Sequence, residues 1–315
     1  MEKQPQQQHI ALVTGGSTGI GFETSLLLAR NGFYTYATMR DPTKNNTIKE
    51  IANKENLPLE VLPLDVDNDD SVRNTINKIF DEKKKIDILV NNAGYGLFGA
   101  IEDISIQEAK KQFETNFFGA IRTIKEVLPS MREQKNGIII NITSIAGIVG
   151  IPAECIYAST KFALEGLSES ISYELQPYGI KVILIEPGVI NTNFVPNIKF
   201  PNKTDYNKSQ RNLMNEEKSE ETNFSSNDIK KKDNSSSYYS STIDAFLSHY
   251  YPSMKNAPPP KEVAIVILEA IKKALNSSEY LFRYTVGEDA KTFAQAKKNM
   301  SDSQLHEYIL NRLLR

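Results

Sequence analysis

The chain has 315 residues, 40% of them hydrophobic, and a formal net charge of −2, which is enough apolar content for one substantial core without the basic excess that nucleic acid recruits. A single cysteine, Cys155, excludes an intramolecular disulfide framework and fits a reducing compartment, and the scattered His9, His249 and His306 supply neither a metal cluster nor a Ser-His-Asp arrangement. The polar first nine residues lack the apolar centre of a signal peptide and no stretch approaches the roughly 18 apolar residues of a membrane span, so the expectation is a soluble cytoplasmic protein, with a flexible tail over residues 1–8 and a single domain over 9–315.

Apolar runs of strand type recur at Ile10 to Val13, Phe33 to Thr38, Leu59 to Leu64, Ile86 to Val90, Gly137 to Thr143, Lys181 to Glu186 and Tyr280 to Tyr284. Helical patterns fill the intervals, among them Phe22 to Arg30, Ser71 to Glu82, Ile106 to Arg132, Tyr157 to Leu175 and Lys261 to Leu275. Alternation of this kind predicts an α/β fold: one doubly wound parallel sheet of Rossmann type, with right-handed crossovers and helices on both faces. One stretch breaks the rhythm. From Asn202 to about Thr242 the chain is rich in Asn, Ser, Lys and Glu, and such a composition predicts a disordered surface insertion. Near the C-terminus, Leu305, Tyr308, Ile309 and Leu313 fall on one helical face, and packing onto the same subunit is the expectation.

Ligands in doubly wound sheets bind beyond the carboxyl ends of the strands, and the chemically suggestive segments follow those ends. After the first strand comes Thr14-Gly15-Gly16-Ser17-Thr18-Gly19-Ile20-Gly21, where glycines let the backbone approach a pyrophosphate and the next helix offers unpaired N–H groups. Its GxxxGxG spacing departs from the general GxGxxG fingerprint. Further on, Tyr157 and Lys161 stand four residues apart, which on a helix puts a phenol and an ammonium on one face. A nearby ammonium favours the phenolate, so the pairing predicts a lowered tyrosine pKa and proton exchange with a substrate oxygen. Cys155, two residues before Tyr157, reads as a small hydrophobe rather than a nucleophile.

The glycine loop, Asn91-Asn92-Ala93-Gly94, Asn116 in a helix, Ser144 thirteen positions before Tyr157, Tyr157-x3-Lys161 and Pro187-Gly188-x3-Thr192 occur in one order and spacing, and together they resemble the short-chain dehydrogenase/reductase family over about residues 9–195. Tyr157 to Gly166 and Thr38 to Pro42 look like the branch that holds hydroxysteroid and retinol dehydrogenases. The resemblance implies a catalytic set of Asn116, Ser144, Tyr157 and Lys161. Tyr157 is then the general acid/base, Lys161 tunes it and holds the nicotinamide ribose, Ser144 donates to the carbonyl oxygen and Asn116 supports a proton relay. It also implies a dinucleotide held by Gly15, Ser17, Thr18, Gly19, Ile20 and Gly21, by Asn92, Ala93 and Gly94, by Pro187 and Gly188, and by Asp65 and Val66 at the adenine. Thr192 and the backbone of Val189 position the nicotinamide amide.

For the choice of cofactor, an acidic residue at the end of the second strand selects NAD, whereas a nearby arginine suits the NADP phosphate. Here Thr38 takes the usual acidic position and Arg40 follows, with Ser17 also available, while Asp41 before Pro42 starts a turn. NADP(H) is favoured, with NAD(H) as the alternative. Ile145, Ala146, Val149 and Phe194 near the reactive positions point to an apolar alcohol or carbonyl substrate, steroid-, retinoid- or lipid-like, and Phe200, Phe246 and Tyr250 flank the insertion as potential covers. Family resemblance also implies a homodimer or homotetramer built on helices around Ile106 to Arg132 and Tyr157 to Leu175. A competing reading is a non-catalytic NADP(H)-binding redox regulator, and a third, a sugar-nucleotide epimerase of the extended relatives, is disfavoured by the loop spacing.

Overall fold

A computed structural model describes residues 8–44, 46–192, 197–202, 237–277 and 279–315. Seven strands, β1 (Ile10–Val13), β2 (Tyr34–Met39), β3 (Leu59–Pro63), β4 (Ile88–Asn91), β5 (Gly137–Ile142), β6 (Ile180–Pro187) and β7 (Arg283–Val286), form one sheet in the order β3-β2-β1-β4-β5-β6-β7. All six pairings are parallel. Registers such as Val13 with Ala37 on one side and Val90 on the other bring the strand ends level. Chain direction across the sheet reverses between β1 and β4, so a crevice opens there, beyond the carboxyl ends.

The strands are buried on both faces, and for that reason read as continuous apolar runs. Alternate residues feed two cores. Val13, Val90, Ile140 and Ile183 pack with Leu28 of α1 (Gly19–Arg30) and with Val263, Ile267 and Ile271 of α8 (Pro260–Asn276). Leu12, Leu89, Ile139 and Val182 pack on the other face with Ile76 of α3 (Asp69–Lys83) and Val127 and Met131 of α5 (Gly119–Gln134). Each such side chain, fully enclosed, contributes roughly 1.5–3 kcal/mol relative to exposure. Helix ends follow their sequence signals: Asn68 accepts from the Ser71 N–H at 2.8 Å before α3, and Ser105 with Glu108 forms a capping box before α4 (Ile106–Phe113).

Three features differ from the sequence reading. The expected helix over Ile106 to Arg132 is interrupted by a π-helical turn, Glu114–Phe118, between α4 and α5, and this turn carries Asn116. Short α2 (Thr47–Lys54) and α9 (Glu288–Asn299) had no counterpart in the predicted elements. Most of the polar stretch from Asn202 to Thr242 lies outside the described residues, as does Phe194. Its far end does not remain irregular: α7 begins at Ser240 and runs to Lys255, because Ile243, Phe246 and Leu247 repeat at helical spacing and are all buried. The C-terminal helix, α10 (Asp302–Leu313), packs Tyr308, Ile309 and Leu313 against a cluster that includes Ile145, Val149 and Phe293, on its own subunit as expected. No helix among the described residues is long and apolar enough to cross a membrane.

Candidate active site

The crevice beyond the strand ends is a cleft of about 800 Å³. At one end stands the glycine loop between β1 and α1. Gly15 and Gly19 take φ of +68° and +61°, a backbone region that side chains rarely adopt. A Cβ on Gly15 would sit 2.9 Å from the Cα of Ala93, so the loop and the segment after β4 are in direct backbone contact. Hydrogen bonds lock the two together: the Thr14 hydroxyl accepts from the N–H groups of Asn92 (3.0 Å) and Ala93 (3.1 Å), and the Asn92 amide donates to the carbonyls of Thr14 (2.9 Å) and Gly15 (3.1 Å). Ser17, Thr18, Gly19, Ile20, Asp65, Val66, Asn92, Ala93 and Gly94 all line this part of the cleft. Gly21 lies behind it, where a Cβ would come within 2.4 Å of the Asn92 amide nitrogen. Thr192 closes the cradle, its Cβ 3.5 Å from where a Cβ on Gly19 would stand. This is a cradle that side chains would fill, with an α1 N-terminus at its base, and it fits a dinucleotide pyrophosphate.

At the end of β2, Thr38 is fully buried and its hydroxyl donates to the Val13 carbonyl at 3.1 Å. Asp41 turns away from the cleft, accepting from the Thr43 N–H (3.0 Å) and hydroxyl (2.6 Å) and pairing with Lys44 at 3.4 Å. Arg40 between them is exposed and lines the cleft.

The other end gathers the proton-transfer candidates. β5 delivers Ser144, which caps a short 3-10 turn, Ile145–Gly147, accepting from the Ala146 N–H at 3.1 Å and donating to the Pro187 carbonyl at 3.4 Å. α6 (Cys155–Leu175) delivers Tyr157 and Lys161 on one face, 8% and 6% exposed. Lys161 donates to the Ile142 carbonyl at 2.8 Å, and its Nζ lies 5.6 Å from the Tyr157 ring centroid. Asn116 stands behind the cleft wall, bordering a small cavity shared with Lys161. Its amide is fully engaged: Oδ1 accepts from the Tyr95 N–H at 3.0 Å, and Nδ2 donates to the Tyr95 carbonyl at 3.0 Å and the Thr160 hydroxyl at 3.1 Å.

The electrostatics of the pair differ from the sequence expectation. Burial pushes the Tyr157 phenol above its ordinary value, Glu154 beside it adds to the rise, and only the hydrogen bond with Ser144 opposes them. Lys161 is itself lowered by burial to about 8, with Glu165 pulling the other way. With burial and Glu154 outweighing Ser144, the protein's own groups favour the protonated phenol. Cys155 is likewise raised by burial, and its thiol faces the Gly99 carbonyl at 3.8 Å.

β6 ends at Pro187, and Gly188 then packs so tightly on Asp289 that a Cβ would lie 2.2 Å from its carboxylate. Asp289, in the first turn of α9, accepts from the Val189 N–H at 2.7 Å. That N–H was an expected nicotinamide contact, and it is already engaged within the chain. Phe98, Glu154, Asp289, Arg312 and Leu313 all line the cleft although no motif signalled them. Of the aromatics expected to cover a substrate, Phe246 and Tyr250 line the cleft while Phe200 packs behind it in the cluster with Phe98 and Tyr157.

Glu154 gives a pH prediction. It is 5% exposed and burial raises its carboxyl to about 8. Between about pH 4.5 and 8 the native state keeps this proton and the unfolded state loses it, so stability falls as pH rises through that window. At about 1.4 kcal/mol per pKa unit, the wild type should lose several kcal/mol relative to Glu154→Gln. Urea unfolding of both proteins at the two ends of the window checks this, and identical pH slopes would contradict it.

The short chain dehydrogenase family profile matches residues 9–202. The 3-ketodihydrosphingosine reductase of Bacteroides thetaiotaomicron is 42% identical over 191 residues, covering 61% of this chain and 67% of that protein. Retinol dehydrogenase 8 of Bos taurus is 41% identical over 187 residues, covering 58% of this chain and 59% of its own length, so the match spans well under two thirds of that relative. This likeness agrees with the branch suggested by Tyr157 to Gly166 and Thr38 to Pro42. Among solved structures, a short-chain dehydrogenase from Streptomyces avermitilis superposes with a TM-score of 0.72 at 26% identity, covering 96% of this chain and 97% of that one. With the profile spanning more than half of the chain and the glycine cradle, Ser144, Tyr157 and Lys161 gathered on one cleft, this protein belongs to the short-chain dehydrogenase family of oxidoreductases.

Proposed function

We propose that the chain is an NADP(H)-dependent oxidoreductase that interconverts an apolar alcohol and its ketone or aldehyde, with steroid-, retinoid- and lipid-like molecules as the substrate class. The observation that carries this reading is the convergence of Ser144, Tyr157 and Lys161 on the wall of a cleft whose other end is the glycine cradle. Phe98, Phe246 and Tyr250, whose rings pack 5.4–6.0 Å apart, give the substrate end its apolar character. The names of the relatives, one for retinol and one for 3-ketodihydrosphingosine, agree with that chemistry.

Gly15, Ser17, Thr18, Gly19 and Ile20 would hold the pyrophosphate, Asp65 and Val66 the adenine end, and Thr192 with the Val189 carbonyl the nicotinamide amide. The bound nicotinamide supplies or accepts the hydride. The chain's own residues do the rest. Ser144 donates a hydrogen bond to the substrate oxygen as negative charge gathers there. Tyr157 gives that oxygen its proton, and a phenol kept protonated chiefly by burial is suited to the reductive direction. Lys161, held by the Ile142 carbonyl, is positioned for the ribose and for returning charge to the phenol. Asn116, clamped on Tyr95 and Thr160, fixes the π-helical turn against α6 and is the candidate for the water relay. Exposed Phe118 and Phe162, on the π turn and α6, support a homodimer through these helices.

The test follows NADPH absorbance with a panel of apolar ketones, aldehydes and quinones. Turnover of at least one apolar carbonyl is expected, and binding of NADPH with no oxidation across the panel would favour the regulatory alternative.

A further inference from the structure

Glu154 occupies the position that caps α6, three residues before Tyr157, and none of the proton-transfer steps uses it. It is 5% exposed, yet its side chain forms part of the cleft wall. Its backbone is satisfied, the N–H donating to the Ile151 carbonyl at 3.3 Å and its carbonyl accepting from the Ala158 N–H at 2.7 Å. The carboxyl has no hydrogen bond and no ion pair among the described residues, and burial is the sole influence on its ionisation. Other acids on the cleft wall each have a hydrogen-bond donor: Asp289 accepts from Val189, Asp65 from the Asp67 N–H, and Asp67 from the Thr115 hydroxyl through Oδ2, its Oδ1 having no partner among the described residues.

The nearest polar groups are phenols, and neither is hydrogen-bonded to the carboxyl. Glu154 acts electrostatically on the buried phenols of Tyr157 and Tyr250, and Tyr250 packs edge-on against Phe98 and beside Phe246. A buried carboxyl without a partner costs free energy that a leucine at the same place would not. A ligand that brings its own donor into the cleft removes that cost.

We propose that Glu154 is a substrate-recognition residue whose carboxyl accepts a hydrogen bond from an ammonium or hydroxyl group that the substrate carries within a few bonds of its reacting carbonyl. One helical turn separates Glu154 from Tyr157, which sets their Cβ atoms about 5–6 Å apart and limits how far along the substrate the donor can stand. The substrate class then narrows from apolar carbonyls in general to long-chain carbonyls with an adjacent polar donor. This inference rests on the carbonyl-reduction reading of the same cleft.

The experiment measures equilibrium binding by calorimetry for three ligands: a twelve-carbon alkyl ketone, the same ketone with a hydroxyl two carbons from the carbonyl, and the same ketone with an amino group there. Wild-type protein should bind at least one donor-bearing ketone about tenfold or more tightly than the plain one, the range of a charge-assisted hydrogen bond. Glu154→Leu should bring that ratio close to one, with Glu154→Met in its place if the leucine variant does not melt cooperatively. Glu154→Gln separates the sources, keeping a preference for hydroxyl and losing one for ammonium. Absence of any preference in the wild type, or an equal loss for all three ligands in Glu154→Leu, would overturn the proposal. NADPH oxidation with the plain ketone is followed separately: its failure counts against the carbonyl reading, whereas turnover with unchanged binding ratios counts against Glu154 alone.

Discussion

Replacing Tyr157 with phenylalanine is expected to lower turnover by about 10²–10⁴-fold, the usual worth of a positioned general acid, while NADPH affinity stays roughly unchanged. The asymmetry follows from the packing. The ring sits 6.3 Å from Phe98 and is nearly enclosed, and phenylalanine fills the same space. Lys161 keeps its bond to the Ile142 carbonyl, so the groups that would hold the ribose stay in place. Lys161→Ala, by contrast, removes a buried ammonium from between the two sites and should damage both binding and turnover. Single-turnover reduction read alongside NADPH titration separates these effects. Near-wild-type reduction by Tyr157→Phe would remove the proposed acid.

Arg40→Ala should weaken NADPH by roughly tenfold to more than a hundredfold while changing NADH little, because a charge-assisted contact is worth about 1.5–3 kcal/mol. Both neighbouring side chains are engaged elsewhere. Thr38, in the position where an acid would select NAD, is buried with its hydroxyl on the Val13 carbonyl. Asp41, the acid next to Arg40 in sequence, is spent on Thr43 and Lys44, and those bonds hold its carboxyl below the usual range. Arg40 is left exposed at the cleft wall, where a 2′-phosphate would meet it. Paired titrations of wild type and Arg40→Ala with both nucleotides check this, and equal NADPH affinities would contradict it.

What was legible in the sequence was whatever depends on short spacings. Tyr157 and Lys161 had to share a helix face once the segment was helical, and the apolar runs that became β1, β4, β5 and β6 announced strands buried on both faces. Contacts between distant segments were not legible. Asn116 is marked by family resemblance, but its surroundings were not legible: only the close approach of Tyr95 and Thr160 to the π turn gives its amide three hydrogen bonds. Glu154 carried no sequence signal, since nothing local reports that its buried side chain converges with the phenols of Tyr157 and Tyr250. The same convergence reversed the expected shift of the Tyr157 phenol: a lysine four residues away suggested a fall, but burial and Glu154 raise it. Asp289 engages Val189 across 100 residues of chain, beyond the reach of any motif. The start of α7 was missed for a different reason. Serines at its N-terminal end continue the polar composition before it, and they masked the Ile243, Phe246 and Leu247 spacing that buries one face.

On the proposed reading, this cleft passes a hydride and a proton to an apolar carbonyl. Incubating the protein with an apolar ketone and NADPH carrying deuterium at the transferable position of the nicotinamide, then weighing the product by mass spectrometry, tests it most directly. The expected product is the secondary alcohol with one deuterium on the carbinol carbon, formed by wild type and reduced at least a hundredfold in Tyr157→Phe, in line with the worth of a general acid. An alcohol without the label, or no alcohol from any apolar ketone that binds, would rule out hydride transfer from the nicotinamide to such carbonyls.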